Sequence, residues 1–259
     1  MREADGQSSY AAPKRYPIFN TYVNALSLEE TVSEVDLIVA SGVPTQHVVL
    51  NASKVNLMRD DACLTDIVNA CPLINADGAS IVWAARQLGV PLKERVAGID
   101  LFLRLVELAS EKSYGIYLLG AKDESVFRAR EALQRKYPNL KIVGFRNGYF
   151  DKSEEPRIVA DIAASGADML FLGFSSPKKE YWAHEHLRAL GVPFVMGVGG
   201  SFDVVAGVTV RAPKWMQDHG LEWLFRFAQE PGRLWRRYVI GNASFIRYVF
   251  ECKIRKQKR

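Results

Sequence analysis

A chain of 259 residues, 48% apolar and 24% charged, can bury a substantial core as one large domain with or without an appendage. Its net charge of +5 is uneven: residues 226–259 hold ten Lys/Arg against two Asp/Glu, which leaves the remainder mildly acidic and points that end at an anionic partner, such as phospholipid, lipid diphosphate or nucleic acid. Three cysteines, Cys63, Cys71 and Cys252, form no CxxC pair and are odd in number, which argues against a disulfide framework or zinc site and for a reduced, cytosolic setting.

Residues 1–16 mix charge and proline without the apolar run of a signal peptide and are expected to form a flexible arm. No stretch approaches the roughly 18–20 apolar residues that span a bilayer, so membrane contact is expected to be peripheral, from the cytoplasmic side. Residues 17–210 then alternate strand-like and helix-like patterns. HVVLNAS (47–53) reads as a strand with helix following to about Asn69, and 76–89 as a helix stopped by Gly89. From Asp100, Leu101, Leu105 and Leu108 fall on one helical face.

Strands over GIYLLGA, LKIVGFRNGYF, ADMLFLGFSSP and VPFVMGVGGSF alternate with helices over DESVFRAREALQRKYP, EEPRIVADIAASG and KKEYWAHEHLRALG. Strands apolar nearly throughout, separated by helices, predict an α/β fold: a Rossmann-like parallel sheet covered on both faces. Ligands of such folds bind beyond the carboxyl ends of the strands, here at LNASK, GAKDE, GFSSPKKE and GVGGSFD.

After residue 210 the pattern changes to a basic, aromatic, helical appendage, 211–259. Leu221, Leu224, Phe225 and Ala228 form one stripe, Glu222 and Arg226 pair at i, i+4, and Pro231-Gly232 breaks the helix. Arg233, Arg236 and Arg237 share a face, and a last segment aligns Phe245, Tyr248, Val249 and Cys252. Both an interfacial membrane helix and a plain cap on the sheet fit this profile.

Several side chains stand where chemistry is expected. Asp77 lies where PLIN meets a helix; the segment alone fits an N-cap, and it also fits a general base. Arg95 offers a planar fork to a diphosphate, next to Gly98 and to Asp100, itself a candidate N-cap. Ser175, Ser176, Lys178 and Lys179 at the opening of a helix make an anion site, with Glu180 complementing the dipole. Gly197–Asp203 lacks the final glycine of a dinucleotide fingerprint, which leaves a nucleotide contact through Asp203 as the better reading. His184 and His186 face different sides, no DxD occurs, and no metal or other cofactor is expected.

Taken in order, NADG, ERVAGIDL, LLGA, GFSSPKKE, GVGGSFDVVAG, RAPKWMQ, GLEWLFR and EPGRLWRRY resemble the WecG/TagA/CpsF glycosyltransferases over residues 45–245. The resemblance implies an inverting enzyme that moves a hexose-type sugar from a UDP-sugar to a polyprenyl-diphosphate-linked sugar at the inner membrane face, for cell-surface polysaccharide or teichoic-acid-type polymers. By the same resemblance Asp77 is the catalytic base, with Asn51 and Arg95 beside it. Gly120, Ser176, Lys179, Gly199, Gly200 and Asp203 are expected at the nucleotide, and Arg226, Arg233, Arg236 and Arg237 at the lipid diphosphate. Homo-oligomers are expected, and nucleic acid is not. Two positions depart from the family pattern: Val49 replaces a frequent threonine and Lys179 an amide. They leave room for an alternative, a non-catalytic UDP-sugar-binding regulator of polymer assembly.

Overall fold

The computed structural model describes residues 12–257, apart from the side chains of Arg233, Arg237 and Gln257. An antiparallel hairpin comes first, β1 (Arg15–Ile18) and β2 (Thr21–Asn24). Arg15 and Tyr16 therefore belong to a strand, where sequence suggested a flexible arm, and residues 1–11 of that arm lie outside the described residues. A capping box between Ser27 and Glu30 starts α1 (Leu28–Ser41), and Gly42, at φ 67°, ends it.

β3 (Thr45–Leu50) runs into α2 (Ala52–Asp60), with Asn51 as its N-cap, and α3 (Ala62–Ala70) returns the chain to β4 (Leu73–Ala76). The helical stretch expected to about Asn69 is present as two helices, divided where Asp61 caps the second. α4 (Ala79–Gln87) and α5 (Gly98–Lys112) precede β5 (Gly115–Gly120), α6 (Asp123–Lys136) and β6 (Lys141–Arg146). α7 (Glu155–Ala164), β7 (Met169–Gly173), α8 (Lys178–Leu190), β8 (Phe194–Gly197) and α9 (Ser201–Val205) complete the core.

The six strands β3–β8 form one parallel sheet in the order β4-β3-β8-β7-β5-β6. Alternate residues of β7 enter opposite layers: Met169 and Phe171 pack with α1, α5 and α6 residues such as Val35, Leu105 and Leu133, while Leu170 and Leu172 pack with Ile158 of α7 and Trp182 of α8. Burial on both faces explains why β5 and β7 read as unbroken apolar runs, while β3 buries Thr45, Gln46 and His47 before its apolar half. Only the edge strand β6 alternates exposed and half-buried positions.

The order also explains the site. From β3 the chain steps outward to β4, then crosses to β5 on the far side, and β8 later fills the gap beside β3. The crevice at that reversal lies beyond the ends of β4, β3, β8 and β7.

Beyond the core, α10 (Lys214–Asp218), α11 (Glu222–Gln229) and α12 (Pro231–Trp235) lead through a π-helical turn, Arg236–Ile240, into α13 (Gly241–Gln257). α13 buries Phe245 and Val249 among Val55, Met58 and Ile81, so this segment is a structural cap on the core. Its opposite side leaves Ile246, Phe250 and Ile254 exposed at intervals of four. Among the described residues, no helix is long and apolar enough to cross a membrane.

Candidate active site

Five helix N-termini converge on a cleft of about 790 Å³ between the sheet and the appendage: Ala52 of α2, Ala79 of α4, Gly98 of α5, Ser176 just before α8, and Ser201 of α9 all line it. Unsatisfied N–H groups at helix starts carry partial positive charge, so the floor is built for an anion. The roof comes from α11 to α13, including Glu222, Arg226, Tyr238 and Ile246.

Asp77 lies one residue beyond β4, and its N–H donates to Leu50 O at 2.8 Å, adding one rung to the β3–β4 ladder. Gly78 turns at φ 95° and is itself the N-cap of α4, which has no side-chain cap. The carboxylate of Asp77 is therefore not spent on its own helix. It accepts a hydrogen bond from Gly98 N–H and lines the cleft. Burial pushes its carboxyl above the ordinary range; Arg95 opposes that rise, Glu222 adds to it, and Arg226 opposes it again.

Arg95 NH1 stands 3.5 Å from Glu222 Oε2, an ion contact between the loop before α5 and the first turn of α11. Asp100 is not an N-cap: α5 starts two residues earlier, and Asp100 holds Arg211 in a fork at 2.6 and 2.9 Å. Asn51 lines the cleft with its Oδ1 accepting from Lys54 N–H at 2.9 Å, so the cap fixes the carboxamide in place. Glu180 stands in the first turn of α8, as expected, and does more there. It is 2% exposed and pairs with Lys54 Nζ at 2.6 Å, while Ser176 Oγ donates to the same carboxylate oxygen at 3.1 Å. Lys179 reaches the cleft because Gly197 lets its stem pass; a Cβ on Gly197 would sit 2.5 Å from Lys179 Cδ.

A family model described as the Glycosyl transferase WecG/TagA/CpsF family matches residues 16–259. The chain belongs to this family. It is also 34% identical, over 184 residues, to the N-acetylglucosaminyldiphosphoundecaprenol N-acetyl-beta-D-mannosaminyltransferase of Bacillus spizizenii, covering 71% of this chain and 68% of that protein.

Of the residues the WecG/TagA/CpsF motifs single out, Asn51, Asp77, Arg95, Ser176, Lys179, Gly199, Gly200, Asp203 and Arg226 line one cleft. Gly120 does not: it ends β5, beyond β7 from the crevice, and a Cβ there would lie 2.5 Å from Gly173 Cα, so its role is close strand approach. Arg236 is exposed with its guanidinium over the Trp235 ring, 5.5 Å from the centroid, and does not line the cleft. The side chains of Arg233 and Arg237 lie outside the described residues. The one group of side chains spaced for a metal among the described residues, Glu155, Glu185 and His186, is on α7 and α8 away from the cleft.

Arg211 and the Lys54–Glu180 pair escaped the sequence reading because their partners lie 111 and 126 residues away. Glu222 was visible only as the i, i+4 partner of Arg226, which it meets at 3.7 Å.

Proposed function

We propose that this protein transfers an N-acetylhexosamine-type sugar from a UDP-sugar to a polyprenyl-diphosphate-linked sugar, with inversion and without a metal ion. The observation that carries this is Asp77, a buried carboxylate of raised pKa, at the edge of a cleft whose floor is helix N-termini and whose walls hold Arg95, Lys179 and Arg226. A carboxylate held above its ordinary pKa is a better proton acceptor when ionised. Asp77 takes the proton of the acceptor hydroxyl as that oxygen bonds the anomeric carbon. The bond from that carbon to the diphosphate breaks on the opposite face, and UDP leaves with the electron pair. Arg95, Arg226 and the helix N-termini offset the charge that develops on the leaving diphosphate.

The lipid-linked acceptor of the Bacillus spizizenii relative supports the same acceptor class here. Membrane contact at the cytoplasmic face fits the exposed Trp235, Val239, Ile240, Ile246, Phe250 and Ile254 of the appendage, of which Ile246 also lines the cleft.

The test is transfer from UDP-N-acetylmannosamine to an N-acetylglucosaminyl-diphospho-polyprenol in detergent, with and without a chelator, for wild type and Asp77→Asn. The expected result is chelator-resistant transfer that falls at least ~100-fold in the variant. A variant within a few-fold of wild type removes Asp77 as base. UDP binding without transfer by wild type favours the non-catalytic regulator.

A further inference from the structure

Glu222 opens α11 and meets arginines from three parts of the chain. Its Oε2 lies 3.5 Å from Arg95 NH1, and its Oε1 lies 3.5 Å from Arg211 Nε and 3.7 Å from Arg226 NH2. Its side chain is 14% exposed and lines the cleft. These contacts are ion-pair distances, longer than the roughly 2.7–2.9 Å of charge-assisted hydrogen bonds. The contrast is Arg211, whose two terminal nitrogens grip Asp100 at 2.6 and 2.9 Å. Arg211 is thus anchored on α5 and turns its Nε toward Glu222, whereas Arg95 and Arg226 meet Glu222 loosely. Three guanidinium groups close together repel one another unless an anion stands among them.

We infer that Glu222 is the positioning residue of the cleft: it ties the first turn of α11 to the core through Arg95 and Arg211, and spaces Arg95 and Arg226 for a diphosphate. This rests on the proposed function for the diphosphate, but not for the tether. A diphosphate brings several acceptor oxygens and more charge than one carboxylate, so it takes the donors that Glu222 leaves weakly engaged, while Glu222 remains behind them. The same carboxylate bears on the base. The charged groups that face Asp77 are Arg95 from the loop before α5, and Glu222 and Arg226 from α11, with Gly98 N–H bonded to it. Glu222 alone among these groups raises the Asp77 pKa; Arg95, Arg226 and the Gly98 N–H lower it.

The test compares full-length wild type, Glu222→Gln and Glu222→Asp. Without any substrate, amide exchange over residues 222–229 is expected to speed up in the Gln variant and return toward wild type in the Asp variant. UDP affinity, measured by calorimetry, is expected to weaken about tenfold in Glu222→Gln, with partial recovery in Glu222→Asp. In transfer assays the acid limb of the kcat/KM profile moves to lower pH in Glu222→Gln, a shift that a purely structural residue does not produce. Wild-type exchange over 222–229 in the Gln variant overturns the tether. Unchanged or tighter UDP binding overturns the spacing role, since tighter binding marks Glu222 as a competitor of the diphosphate. A wild type that binds no UDP removes the functional reading and the spacing role together, while the exchange measurement still decides the tether.

Discussion

Lys54 Nζ and Glu180 Oε1 meet at 2.6 Å with 1% and 2% of their side chains exposed, under the wall of the cleft that carries Ser176 and Lys179. The pair joins the first turn of α2 to the first turn of α8, and Gln46 Nε2 adds a bond to Glu180 O at 3.1 Å. Removing Lys54 leaves the buried Glu180 carboxylate with only Ser176 Oγ at 3.1 Å and the more distant Lys179 Nζ at 4.0 Å. Lys54→Met is expected to lower unfolding free energy by about 3–5 kcal/mol, and Lys54→Met with Glu180→Leu to recover most of it. Urea unfolding of the three proteins checks this; equal losses in the single and double variants refute it.

Asp77 carries a stability cost that its chemistry explains. Because burial holds its folded pKa above the ordinary carboxylate value, its favourable contribution is complete below the unfolded pKa and lost as pH rises through the folded one. Asp77→Asn is therefore expected to raise Tm at pH 8 and to leave it nearly unchanged at pH 4. For a chain of this size about 1 kcal/mol corresponds to 2–4 °C. Calorimetry at both pH values measures it, and a lower Tm at pH 8 contradicts the burial of an ionisable, cleft-facing carboxyl.

Two glycines make opposite predictions. Gly120→Ala drives a Cβ to 2.5 Å from the Gly173 backbone at a φ of +135°, which no neighbour can relieve. It is expected to cost about 1–3 kcal/mol of stability. Gly197→Ala meets only the flexible stem of Lys179, so the fold is expected to survive while UDP binding weakens. Thermal melts with and without UDP separate the two.

The exposed row Ile246, Phe250, Ile254 on α13 is the apolar face we propose for contact with a lipid surface. Replacing all three by serine is expected to lower partitioning onto phosphatidylglycerol vesicles by at least ~100-fold, since each fully buried side chain of this size contributes about 1.5–3 kcal/mol. Vesicle flotation reads the change directly, and equal flotation of variant and wild type dismisses this face.

The sheet was legible because strands buried on both faces run apolar nearly throughout, as in GIYLLG of β5, and because helices punctuate them. The turns at the strand ends pointed to the cleft for the same topological reason. What escaped was non-local. The hairpin strands are four residues long and carry no Asn-Gly or Asp-Gly turn, and α1 was passed over although Ser27-x-x-Glu30 is a capping signature. On its own segment Asp77 read first as a cap, because the turn at Gly78 that frees its carboxylate is a matter of backbone angle. Arg211 and Glu222 acquire their roles only once loops 95 and 211 come together.

The Phe19 ring at the tip of the hairpin lies 5.6 Å from that of Phe245 and 5.4 Å from that of Tyr248. Asn56 Nδ2 holds Gly241 O at 2.7 Å, and Lys256 Nζ holds Leu88 O at 2.6 Å. The hairpin and α13 thus brace each other, and the span over the crevice is moored at its far shore as well as its near one. Between those anchors the span is pinned over the crevice as well, where Arg211 grips Asp100 and Glu222 meets Arg95.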